Sequence, residues 1–169
     1  GKNIVVKSSG GPTVTSISQF TEGVPIVWFH NSETTNSVLD GFTIREGTGT
    51  RGSGINFSGG SATIKNCIIT ECHNDAIELY YTSTIFENCL INNNYNSAFF
   101  HDPSDTSPQI INCTITGNGS VGHNGSGNYT PVYKNCIIYN NSEDVNLGNV
   151  NISYSLVDGG WSGTGNINA

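Results

Sequence analysis

The feature that most restricts this chain is a recurrence. TIKNCIIT, IFENCLIN, QIINCTIT and VYKNCIIY each place an apolar residue two positions before an Asn-Cys pair and another two positions after the Cys. Cys67, Cys89, Cys113 and Cys136 are spaced by 22, 24 and 23 residues. A unit that returns at this interval without losing register describes an architecture, one supersecondary unit per period. LDGFTI fits the same slot with Phe42 and Ile44, and SYSLVD fits it with Ser155 and Val157.

Two further columns run beside the first. Ile4, Ile26, Ile55, Ile77, Phe99, Val121 and Val145 recur at intervals of 22, 29, 22, 22, 22 and 24. Two residues after each come Val6, Trp28, Phe57, Leu79, His101, His123 and Leu147, and this i, i+2 alternation puts each pair on one face of a short strand. Upstream of the Asn-Cys slot stand Val38, Ile64, Phe86, Ile110, Tyr133 and Ile152. Three short strands per period predict a solenoid of triangular section, with about seven coils stacked ~4.8 Å apart. The fold class is all-β: a single solenoid domain over residues 1–169. Gly or Asn interrupts nearly every window long enough for a helix. The chain opens GKNIVV with a rung near residue 3 and no capping helix, so further coils or domains of a longer parent chain are expected before it.

Composition excludes some functions. Net charge is −7, and the six Lys and Arg stand at positions 2, 7, 45, 51, 65 and 134, with no basic stripe for nucleic acid. No apolar run reaches the ~18 residues of a membrane-inserting helix. Charged residues make up only 11%, and the abundance of Asn, Gly, Ser and Thr suits an extracellular or cell-surface protein.

The motifs NCTITGN, DGFTI and FENCLINNN resemble the right-handed parallel β-helix repeats of the pectate-lyase-like superfamily, found in many large bacterial and archaeal surface proteins. The resemblance covers nearly the whole chain. It implies that Asn66, Asn88, Asn112 and Asn135 turn one corner and stack their amides along the axis, since Asn tolerates the left-handed region. The Cys that follow then point inward as small apolar side chains. Neighbouring coils bring Cys67, Cys89, Cys113 and Cys136 within disulfide range, but parallel Cβ vectors strain such a bond, so free thiols are expected. A line of four thiols also lacks the tetrahedral arrangement of zinc. Cys72, in TECHND, matches no zinc spacing; a buried thiol and a reactive thiol both remain open.

Function in a solenoid lies on loops that break the period or on outward faces. The 29-residue interval contains REGTGTRGSG, whose Arg45, Glu46 and Arg51 suit a carboxylate or sugar hydroxyls. In the Gly-rich stretch 117–131, Tyr129 is a candidate sugar-stacking platform. Hydrolases of the resembled superfamily use paired carboxylates on one face to set a general acid against a base-activated water, and Glu71, Asp75, Glu78, Asp102 and Asp105 are the candidates here, although the clustered Asp motifs of those hydrolases are not present. The lyases of that superfamily use Lys or Arg as base, and none stands between Lys65 and Lys134. Glu71, Asp75, Asp102 and Asp105 are alternatively oxygen ligands for Ca2+, the one cofactor the composition suits. His101 and His123, one period apart, read as a stacked pair in the inward column; His30 is isolated.

Two functional classes stay open at this point. One is a non-catalytic module presenting loops for adhesion or carbohydrate binding, with a neutral glycan or another surface protein as partner, because a negative rod repels acidic polysaccharides. The other is a carbohydrate-active enzyme, a glycoside hydrolase or polysaccharide lyase, built on the five carboxylates.

Overall fold

Parallel pairing at a fixed stagger, with every inward side chain over its equivalent one lap away, is what a 22–24-residue period demands of a strand-forming chain. A computed structural model describes residues 2–19, 21–50, 52–101, 107–124, 130–143 and 150–168, with His123 and Asn124 described by their backbone alone. The described residues form a right-handed parallel β-solenoid of three sheets and contain no helix long and apolar enough to cross a membrane.

Sheet A comprises Val5–Lys7, Val38–Asp40, Thr63–Lys65, Ile85–Glu87, Gln109–Ile111, Val132–Lys134 and Asn151–Ser153. Sheet B comprises Ser16–Ser18, Thr43–Arg45, Ile68–Thr70, Leu90–Asn92, Thr114–Thr116, Ile137–Tyr139, Leu156–Val157 and Ile167–Asn168. Sheet C comprises Val27–Phe29, Ile55–Ser58, Ile77–Tyr80, Ser97–His101 and Ser120–Asn124. The solenoid makes about five turns rather than seven, because five laps have described strands on all three faces and the strands after Ser120–Asn124 belong to sheets A and B alone.

The sheet B column is in register from end to end: Ile17, Ile44, Ile69, Ile91, Ile115, Ile138 and Val157 pair in sequence. All of these except Ile17 are buried. The tight corner from sheet A to sheet B explains that regularity. On the first lap residues 8–15 make the connection; on every later lap only two residues do, and the first holds positive φ: Gly41 at 82°, Asn66 at 53°, Asn88 at 55°, Asn112 at 55°, Asn135 at 54° and Tyr154 at 52°. A one-residue slip here would turn the whole inward column to solvent.

Elsewhere the register differs from the sequence columns. In sheet A the partner of Ile64 is Leu39, not Val38. NIVVK lies in sheet A, pairing Val6 with Leu39, and does not start the sheet C column. In sheet C, Val27 and Phe29 pair with Ile55 and Phe57, so Trp28 faces outward and Ile26 precedes the strand. Ile55, Ile77 and Phe99 stack as expected, but the next step is 23 residues: Phe99 pairs with Gly122, so Val121 aligns with Ala98. His101 therefore pairs with Asn124 and Phe100 with His123, and the two histidines are not stacked. Val145 and Leu147 lie outside the described residues. The irregular steps share a physical cause, since the corners flanking sheet C vary in length. Between sheets C and A the chain takes eight residues at 30–37 but four at 59–62. Between B and C it takes nine at 46–54 but six at 71–76, so the long lap has two enlarged corners, not one.

The interior is apolar, and aromatic along part of its length. Phe29 stacks on Phe57 with centroids 4.9 Å apart, and Phe57, Phe86 and Phe99 continue edge-to-face at 6.2 and 5.3 Å. All five cysteines are free and buried. Burial pushes the Cys67 and Cys72 thiols up, and Cys136 up to about 12, so these three are protonated and inert as nucleophiles at neutral pH.

Each corner thiol also works as a hydrogen-bonding staple. Cys89 and Cys136 reach the carbonyls of Ile64 and Ile110 on the previous lap at 3.4 and 3.3 Å, and Cys67 lies 3.7 Å from that of Leu39, with the Lys65 carbonyl nearer at 3.2 Å. Cys113 Sγ in turn accepts the Cys89 amide at 3.4 Å, and Ser155 Oγ accepts the Cys136 amide at 3.0 Å.

The corner from sheet B to sheet C repeats this arrangement with amides. Glu46, Glu71, Asn93, Gly117 and Asn140 hold positive φ there, and the inward residue that follows is Cys72, Asn94, Asn118 or Asn141 on successive laps. The amides of Cys72, Asn94 and Asn118 donate to Oδ1 of Asn94, Asn118 and Asn141 at 3.0, 3.2 and 3.1 Å. Asn94, Asn118 and Asn141 Nδ2 donate to the carbonyls of Ile69, Ile91 and Ile115 at 3.2, 3.0 and 3.1 Å. The interior amide ladder is thus Asn94–Asn118–Asn141, and Cys72 occupies its first rung. Asn66, Asn88, Asn112 and Asn135 are exposed at the other corner, where Asn135 donates to Asn112 at 3.2 Å and Asn66 donates to Asp40 at 2.7 Å.

Candidate functional site

Three outward faces remain once the interior is assigned. That of sheet A carries a charge row: Lys7, Asp40, Lys65 and Glu87 follow one another in register, then Ile111 and Lys134. Asp40 receives Lys7 at 3.5 Å and Lys65 at 3.9 Å. Opposite charges on adjacent strands favour this pairing over a shifted one, a structural role. The sheet B face is uncharged from Ile68 to Tyr139.

Sheet C presents the face with the most binding chemistry. Trp28, Asn56, Glu78 and Phe100 form one outward column by register. Trp28 is 53% exposed, and its Nε1 donates to Ser58 Oγ at 3.3 Å. Ser58 Oγ donates to Asn56 Oδ1 at 2.6 Å, and Asn56 Nδ2 donates to Glu78 Oε2. His30 tilts against the Trp28 ring with centroids 4.2 Å apart. Tyr80, beside Ser58 in register, projects from the same face. The result is a half-exposed indole fixed at its nitrogen, next to a hydroxyl, an amide and a carboxylate that orient one another.

The enlarged 46–54 corner lies against this face. A Cβ on Gly52 would fall 2.6 Å from Glu78 Cβ and 2.8 Å from Glu78 N, and Gly52 has φ +53°. Only glycine fits so close to the neighbouring strand. Thr48 Oγ1 donates to the Thr21 carbonyl at 3.1 Å, and Asn74 Nδ2 to that of Gly49 at 2.7 Å, which ties the loop to the laps on both sides.

The residues singled out in the sequence fall in different places. Arg45 pairs with Glu46 and, at 3.6 Å, with Glu71, where the two glutamates occupy equivalent left-handed corners. Asp75 is buried, accepting the Ser97 amide at 3.2 Å, while its carbonyl accepts the Ser53 amide at 2.8 Å. Glu78 engages Asn56 on the open face. Glu71, Asp75 and Glu78 therefore turn to three different partners. Arg51, Asp102, Asp105 and Tyr129 lie outside the described residues. Among the described residues no group of three or more His, Cys, Asp or Glu side chains is placed to hold a metal ion.

Trp28, Asn56 and Ser58 were missed as site residues because the 29-residue interval assigned Trp28 to the core. Their signal is a polar Asn-x-Ser on the outward phase of a strand, aligned with a Trp once the step is taken as 28 residues.

His101 belongs to the interior. It is fully buried, its ring centroid is 6.1 Å from that of Phe99, and burial pushes the imidazole down to about 3. The unfolded chain, with an ordinary imidazole near ~6.5, binds a proton that the folded chain excludes over that range. Stability is therefore expected to fall as pH drops from about 6.5 toward about 3, by up to ~1.4 kcal/mol per pH unit from this group. Urea midpoints at pH 7 and pH 4 check this: the wild type should lose more between them than His101→Phe, and equal losses would assign the acid sensitivity elsewhere.

Fold and faces together define a parallel right-handed β-helix repeat protein. The family model described as right handed beta helix region matches residues 1–123 and again 53–164, overlapping as internal repeats allow. The chain belongs to that family. Searches of curated proteins and of solved structures found no match.

Proposed function

We propose that this β-helix is a non-catalytic module of an extracellular or cell-surface protein, and that it holds a neutral carbohydrate on the outward face of sheet C. The observation that carries the reading is the exposed Trp28 ring, tied through Ser58 to Asn56 and Glu78. An indole offers a flat apolar face to the C–H side of a sugar ring, while an amide, a hydroxyl and a carboxylate supply donors and acceptors for its hydroxyls. A net charge of −7 favours a neutral ligand over an acidic one. The few charges and the many Asn, Gly, Ser and Thr residues support placement outside the cell.

The partners of the described carboxylates favour binding over catalysis. Glycoside hydrolysis requires two carboxyl groups on either side of one bond, about 5–9.5 Å apart. Of the described candidates, Asp75 is buried on a backbone amide and Glu71 is directed to Arg45.

The test is a glycan-array screen with and without calcium, followed by calorimetry on Trp28→Ala. Binding of a neutral glycan that weakens at least tenfold in the variant, at unchanged melting temperature, is the expected result. An array with no bound neutral glycan, or reducing-sugar release that Glu78→Gln abolishes, would overturn the reading.

A further inference from the structure

We propose that the carbohydrate is an unbranched chain running obliquely across the strands of sheet C, from the lap of Trp28 to that of Tyr80, with Tyr80 and Tyr81 as its second stacking platform. The inference rests on the carbohydrate reading above and adds the ligand's direction and minimum length.

Strand length sets the direction. Sheet C strands run three to five residues, so a ligand along one strand would meet about two outward side chains before reaching a corner. A ligand crossing the strands meets Trp28 on one lap, Asn56 and Ser58 on the next, and Glu78 and Tyr80 on the third. Trp28 and Tyr80 are then two strand spacings apart along the axis, about 9.6 Å, and two residues apart along the strand, about 6.6 Å, a backbone separation of about 12 Å. Phe100, next in the column, is buried, so the accessible row ends at the third lap.

Tyr81 supports the second platform independently. It holds φ 49°, an uncommon conformation for a bulky residue, at a corner where Gly59 stands one lap earlier. Its ring meets that of Tyr80 edge-on with centroids 4.4 Å apart, yet the side of Tyr81 is 58% exposed. A Cβ added at Gly59 would meet nothing within 4 Å, so the corner beside Tyr81 is open. In an extended β-1,4-linked chain alternate sugars present like faces. Platforms about two sugars apart therefore engage the first and third units, with the middle one over Asn56 and Ser58.

Calorimetry with unbranched β-1,4-linked oligosaccharides of glucose, xylose and mannose, two to six units long, tests this. Affinity should rise at least tenfold between the disaccharide and the trisaccharide or tetrasaccharide. Tyr80→Ala with Tyr81→Gly should remove that gain and leave disaccharide binding intact, whereas Trp28→Ala should weaken every length. Tyr81→Gly alone, a residue that corner accepts at position 59, serves if the double variant melts early, and should remove part of the gain. Affinity that depends on Trp28 but not on length, or a length gain unaffected by the tyrosine variants, overturns the inference while leaving the carbohydrate reading in place. No binding at any length in any series overturns the inference, and it overturns the carbohydrate reading as well only when the glycan array also shows no bound neutral glycan.

Discussion

Ile77→Asp is expected to unfold the middle of the solenoid. Ile77 is fully buried, in register with Ile55 on one side and Phe99 on the other. Burying an unpaired carboxylate costs several kcal/mol, a large share of the ~5–15 kcal/mol that holds a typical domain together. The damage spreads because each lap is stabilised mainly by its two neighbours, so losing the rung at Ile77 removes the support of the laps through Ile55 and Phe99. At ~2–4 °C per kcal/mol for a chain of this length, a fall of ~10 °C or more in melting temperature, or an insoluble product, is expected. Thr70→Asp, on the outward face of sheet B, is the matched control and should melt within about 2 °C of wild type, since surface changes usually stay within ±0.5 kcal/mol. A soluble Ile77→Asp protein with unchanged melting temperature would mean that this side chain is not in an apolar interior.

What the sequence disclosed depends on how rigidly each corner is built. From Gly41 onward the Asn-Cys corner has two residues and one left-handed position on each lap, so the columns through Cys67 and Ile69 read directly into three dimensions. The corners on either side of sheet C change length from lap to lap, and counting along the chain then misplaced Trp28, Val121 and His123 by one position each. One position is enough to exchange inside for outside in a strand. The binding face was hidden for that reason. Trp28 reads as core under a 29-residue step and as a surface anchor under the 28-residue step of the structure.

The charge row of sheet A was obscured differently. Lys7, Lys65 and Lys134 look scattered in a chain with six basic residues, and only the strand register shows Asp40 and Glu87 to be in their row. The second corner did leave a signal in the sequence. Cys72, Asn94, Asn118 and Asn141 each follow an Asn-Cys cysteine by five residues. That constant offset accounts for Cys72 as a ladder residue and separates the interior Asn from the exposed Asn of the first corner.

The difference between the two Asn rows sets the second large effect. Asn118 is buried, and its Oδ1 accepts the Asn94 amide at 3.2 Å and Asn94 Nδ2 at 2.8 Å. Its Nδ2 donates to the carbonyls of Ile91 at 3.0 Å and Thr116 at 3.2 Å, and to Asn141 Oδ1 at 3.0 Å. Asn118→Leu keeps the volume and removes every contact of Oδ1 and of the two Nδ2 protons, leaving the Asn94 amide and the Ile91 carbonyl buried without these partners. Each stranded buried group costs ~1–3 kcal/mol, so a loss of about 3–5 kcal/mol in urea unfolding is expected. Asn135→Leu should cost only ~1–2 kcal/mol, because its side chain is exposed and the main penalty is a branched residue at φ 54°. Asn118→Cys should fall between wild type and Asn118→Leu. Cys72, on the first rung, shows that a thiol in this slot donates to the carbonyl two residues back, Thr70 at 3.6 Å, though it lacks the second donor of an amide. If Asn118→Leu proved no more destabilising than Asn135→Leu, the interior amides would be passengers, and cohesion between laps would come from apolar stacking and the strand hydrogen bonds alone.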